Sequence, residues 1–79
     1  TIYIAPGEFH MKVTPDFKIA LDDGPKENFV RPAADPLFVS VANAYGQYAV
    51  TVSLTGLGKD SVVGAETIVT NGGIVYVQD

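Results

Sequence analysis

The chain has 79 residues and no cysteine, which bounds it to one domain, 1–79, without disulfide staples. His10 is the single histidine, so a structural zinc site has no ligand set. A net charge of −4, with five basic residues scattered at 12, 18, 26, 31 and 59, excludes the clustered cations of a nucleic-acid or anionic-membrane surface.

Along the chain, Val, Ile, Thr, Tyr and Phe alternate with polar residues between turn signals, which predicts strands. The first hairpin covers 1–13 and turns at Pro6-Gly7, a type II preference, setting Ile4 opposite Phe9 and Ile2 opposite Met11. After the bend Thr14-Pro15-Asp16, residues 17–21 form a strand with Phe17, Ile19 and Leu21 on one face. Residues 22–36, with prolines at 25, 32 and 36, form a long irregular loop or arm, a feature that in so small a domain is usually functional or lies on something.

A second hairpin pairs 37–42 with 47–54 around Asn43-Ala44-Tyr45-Gly46. That register collects Leu37, Val39, Val41, Tyr48, Val50 and Val52 on one face. The other face is small and neutral: Ser40, Ala42, Ala49, Thr51 and Ser53, plus Phe38. No charge occurs from 37 to 58, and a solvated antiparallel face carries more. This face is therefore expected to be covered, by a second sheet of the same chain or by a partner. A glycine-rich connection, 55–64, leads to a third hairpin joining 65–70 to 73–78. Asn71-Gly72 supplies its turn, since both central positions of a type I′ turn need φ > 0.

The chemical constellations are weak. Glu8 and His10 share a strand face, as an acid–base pair would, but so do any alternating polar residues. Asp22-Asp23-Gly24 lacks the ligand spacing of a calcium loop and reads as turn chemistry. Gly56-Leu57-Gly58-Lys59-Asp60-Ser61 departs from a phosphate loop, because Asp60 follows the lysine and no helix pattern comes next. Hydroxyl nucleophiles would have only His10 as base. No catalytic residue, cofactor or metal is expected from the sequence.

The binding candidates are Phe29, Val30 and Arg31 in the arm, Tyr45 at a hairpin tip and Thr51 on the uncharged face. Aromatics and Arg are enriched among interface anchors. The end strands 1–5 and 73–78 offer edges for pairing with another chain.

These features predict an all-β fold: a small antiparallel β-sandwich or partly open barrel of six to eight short strands with one long Pro-rich loop. A single curled sheet completed by a neighbour is the alternative. The expected function is non-enzymatic: a structural subunit, homo-oligomeric or bound to a larger protein assembly, without nucleic acid or membrane. In this broad character the chain resembles the small decoration proteins of phage heads, although no motif carries the resemblance, and the expected place is the virion. The second expectation is a carbohydrate- or ligand-binding β module of an extracellular protein, using an exposed Tyr with Asn43, Gln47 and Asp60.

Overall fold

A computed structural model describes residues 2–27, 30–54 and 60–77. Strands β1 (His10–Val13) and β2 (Ile19–Asp22) are followed by helix α1 (Ala34–Tyr45), a 3-10 turn (Gly46–Tyr48), strand β3 (Val50–Ser53), helix α2 (Val62–Thr70) and strand β4 (Ile74–Val77). The all-β sandwich or barrel is thus corrected to a small α/β fold with two helices and four strands in two small sheets among the described residues.

The first sheet is an antiparallel pair with Met11 opposite Leu21 and Val13 opposite Ile19. The hairpin expected over 1–13 does not form: β1 pairs forward with β2, and Ile2 and Ile4 are exposed. Of the predicted strand 17–21 the second part survives. Phe17 sits in the turn at φ 66°, the left-handed region that few non-glycine residues adopt.

The largest correction is α1. Leu37, Val39 and Val41 alternate as a strand would, but Ala34, Leu37, Phe38, Val41, Ala42 and Tyr45 also recur at helical spacing. Pro36 falls in the first turn, where its missing N–H has no intrahelical partner to lose. The buried core is Phe38, Ala42, Ala49 and Ile68, with Leu37, Val41 and Val75 packed against it. Helix formation sets Phe38 against Gly64 of α2 and the Ser40 hydroxyl against the Val13 N–H of β1, on different sides of the helix.

The third expected hairpin is also a helix and a strand. Asn71-Gly72 ends α2: the Gly73 N–H donates to the Ile68 carbonyl and the Gly72 N–H to the Val69 carbonyl, at 2.9 Å each, with Gly72 at φ 87°. This is a Schellman stop. It needs positive φ at Gly72 alone, with Asn71 at φ −90°, whereas the type I′ turn needs it at both residues; a glycine in second place serves either, so the dipeptide alone does not tell the two apart.

Strand β4 then lies parallel to β3, with Val50 beside Ile74 and Val52 beside Tyr76. The unit β3–α2–β4 is a parallel crossover. Thr51 and Ser53 are buried. Val50, Val52, Ile74 and Tyr76 lie on the opposite face and are exposed. The uncharged face is therefore the inner one, covered by the chain's own helices rather than by a second sheet.

Candidate functional site

Asp60 is the most constrained acid at the C-terminal end of the parallel pair. It lies between β3 and α2 and is 6% exposed. One carboxylate oxygen accepts the Ala34 N–H at 2.6 Å and the other the Asp35 N–H at 3.0 Å. Ala33, the residue before α1, offers no capping side chain; Asp60 supplies the cap from a distant part of the sequence. A carboxylate is favoured there by the open N–H groups and by the helix dipole. Asp35 returns the contact, since its Oδ1 accepts the Gly64 N–H of α2 at 2.7 Å. Each acid thus caps the other's helix. Ser61, directly after Asp60, is held at φ 78° while its hydroxyl accepts from Ser53 at 3.2 Å. Non-glycine residues kept in this region cluster at functional sites.

Sequence reasoning gives Asp60 only a ligand-contact role. The signal for more is strand, glycine-rich loop, helix: in open α/β sheets ligands gather outside the carboxyl ends of the strands. The expectation that no helix follows Asp60 hides that signal, and α2 corrects it. Residues 55–59 of the loop, with Lys59, lie outside the described residues.

His10 is not placed to act as a base. It is 2% exposed, its Nε2 bonds the Pro25 carbonyl at 2.8 Å, and its Nδ1 accepts the Ala33 N–H at 3.2 Å. A neutral imidazole has one donor and one acceptor, and both are spent on the backbone, at Pro25 and Ala33. Glu8 turns away to pair with Arg31 at 3.2 Å.

A cleft of about 790 Å³ runs between the first sheet and α1, lined by His10, Lys12, Asp22, Ser40 and Asn43 among others. Much of its polarity is internally spent. Lys12 pairs with Asp22 at 2.9 Å. The Ser40 hydroxyl donates to the Leu37 carbonyl and accepts the Val13 N–H. The Lys12 hydrogen bond, together with the Gly24 N–H, holds the Asp22 carboxyl below its ordinary range. Asp22 therefore acts as a turn and ion-pair residue.

The partner-binding candidates are dispersed. Phe29 lies outside the described residues. Val30 is exposed and bridges to Glu27 through two backbone hydrogen bonds. Arg31 donates to the carbonyls of Asp23 and Gly24 at 3.0 Å each, closing the loop on itself. Tyr45 is at the end of α1 rather than at a hairpin tip, its ring 5.0 Å from that of Phe17. Thr51 is buried on β3, and its hydroxyl has no hydrogen-bond partner among the described residues.

A layer of helices on a parallel strand pair, with a buried acid at the strands' carboxyl end, defines an α/β protein of the kind that carries enzyme chemistry on its loops. Comparison with known proteins gives the family. The family model for CheB methylesterase matches residues 1–79, and the chain belongs to that family. It is 46% identical to protein-glutamate methylesterase/protein-glutamine glutaminase 1 of Paramagnetospirillum magneticum, over 99% of this chain and 21% of that protein. It is 48% identical to the protein of the same name from Rhodospirillum rubrum, again over 99% and 21%. The crystal structure of the Thermotoga maritima CheB methylesterase catalytic domain superposes with a TM-score of 0.85 at 38% identity, over 92% of this chain and 40% of that one. The chain thus spans about a fifth of the length of the curated relatives it matches.

These findings overturn the functional expectations. The relatives bear the names of enzymes, so the non-enzymatic reading is corrected. The capsid-decoration role, the viral-shell or self-assembling partner and the virion or extracellular location fall with it, as does the carbohydrate module, because the family is a methylesterase family of bacterial cells. Exposed apolar residues suggest an assembly surface, whereas a parallel pair with a bare outer face is also what part of a two-sided α/β sheet looks like.

Proposed function

We propose that this chain forms part of the hydrolytic centre of a methylesterase acting on glutamyl side-chain esters, and that it contributes Asp60 as the carboxylate that orients the catalytic base. The relatives' names join an esterase with a glutaminase. Both reactions pass a glutamyl side-chain acyl group to water, so one centre serves both: a nucleophile, a base and a group holding that base in the right orientation. His10 is excluded as the base by its two backbone bonds. Asp60 suits the orienting role because two amides of α1, one on each carboxylate oxygen, fix its plane. The single observation that carries this reading is that buried acid, at the carboxyl end of a parallel strand, pinned across a helix N-terminus.

The outer apolar face of β3 and β4 fits the same reading. In a larger catalytic domain, of which this chain would be one part, a second layer of helices would cover it. The test is to graft residues 1–79 in place of the matching segment of the Paramagnetospirillum magneticum relative. Methanol release from a methyl-esterified protein and ammonia release from its glutaminyl form are then measured. Hydrolysis of both is the expected result; a folded chimera that releases neither contradicts the reading.

A further inference from the structure

The contact between α1 and α2 reaches beyond helix packing. We propose that Asp35 is a positioning residue for Asp60, an inference that rests on the reading of Asp60 given above. Asp35 acts on Asp60 from both ends of the segment that carries it. Its own N–H donates to Asp60 Oδ1 at 3.0 Å. Its side chain, 2.7 Å from the Gly64 nitrogen, ties down the first turn of α2, four residues after Asp60.

The closeness of the helices makes this tie rigid. A Cβ built on Gly64 would stand 2.5 Å from Phe38 Cβ and 3.2 Å from Asp35 Cα, so the backbones touch with no side chain between them. Asp35 is itself only 8% exposed. A buried acceptor bonded to a backbone amide is costly to remove, because the amide is left unpaired. Asp60 and Gly64 therefore move together with α1, and the Asp60 carboxylate takes its orientation from Asp35. The sequence alone joins none of these three residues.

The variants Asp35→Asn and Asp35→Ser separate the roles. Asn keeps an oxygen at the position of Oδ1. Ser suits a helix first turn but is one bond too short to reach Gly64. Amide hydrogen exchange on the grafted enzyme, followed at single residues, reads the result locally. The Ala34 N–H reports Asp60's grip, and the Ile68 N–H reports global opening. In Asp35→Ser, Ala34 is expected to exchange on the order of tenfold faster relative to Ile68, with Asp35→Asn within about threefold of the parent. Equal acceleration at Ala34 and Ile68 would make Asp35 a plain structural cap and overturn the proposal.

In the grafted enzyme, Asp35→Ser is expected to lower kcat about tenfold with KM little changed, and Asp35→Asn to restore it. If Ala34 responds as expected while Asp60→Asn leaves hydrolysis intact, Asp35 still positions Asp60 and the fault lies in the functional reading. If Asp60→Asn abolishes hydrolysis and Asp35→Ser does not slow it, the proposal is wrong and the functional reading stands.

Discussion

Gly64→Ala sets two physical effects against each other. Alanine is the better helix former by about 1 kcal/mol, so propensity alone predicts a more stable α2. The contacts predict the opposite. The new methyl would lie 2.5 Å from Phe38 Cβ and 3.1 Å from Asp35 Oδ1, against an optimum of ~3.5–4.0 Å between carbons. Neither neighbour yields easily, because Phe38 is buried in the core and Asp35 is tied to Gly64 itself. The helices must part by about 1 Å, and overpacking of this kind costs ~1–3 kcal/mol and occasionally more. With the propensity gain set against the upper part of that range, the net loss is about 1–2 kcal/mol. For a domain of this size that lowers Tm by roughly 5–15 °C. Thermal unfolding followed by circular dichroism measures it. An unchanged or raised Tm would refute the claim that the backbones of α1 and α2 touch at Gly64.

Three further outcomes follow from buried polar groups and one ion pair. His10→Ala leaves the Pro25 carbonyl and the Ala33 N–H without their partner and is expected to cost about 2–5 kcal/mol, read from urea unfolding. Thr51→Val removes a buried hydroxyl that has no partner among the described residues and keeps its shape, so the same measurement should show neutrality or a gain of up to about 1 kcal/mol; a clear loss would mean the hydroxyl is satisfied. The Asp22 carboxyl is held below its ordinary range by Lys12 and the Gly24 N–H. Its stabilising share is therefore present above the unfolded carboxylate pKa of about 3.9 and fades as pH falls through the lower folded value. Asp22→Asn should flatten that part of the stability profile, and an unaltered acid limb would contradict the pairing.

The fold is legible in the sequence where one period excludes the other. Of the strands that alternation predicts over 17–21 and 47–54, residues 19–21 and 50–53 are strands. The pattern is ambiguous over 37–45, where Leu37, Val39 and Val41 satisfy a period of two and Leu37, Phe38, Val41 and Ala42 satisfy a helical one. Length decides for the helix, since the helical stripe runs from Ala34 to Tyr45 and strands are shorter. Asn71-Gly72 signals positive φ at both residues, but only Gly72 has it, at φ 87°, with Asn71 at −90°, and the structure that uses it is a helix stop rather than a hairpin turn. The importance of Asp60 is not a local property. Its partners, Ala34 and Asp35, lie 26 and 25 residues away, and only the fold makes it a cap. His10 attracts attention as the lone imidazole, and geometry turns it into a loop fastener.

The central claim is that Asp60 serves chemistry and His10 serves only the fold. In the grafted enzyme, hydrolysis of a methyl-esterified protein per folded molecule should fall by roughly 10³–10⁴-fold in Asp60→Asn, which keeps an acceptor for α1. It should stay near the parent value in His10→Gln despite lower stability. The reverse pattern, full hydrolysis in Asp60→Asn and loss of hydrolysis in folded His10→Gln, would contradict the account.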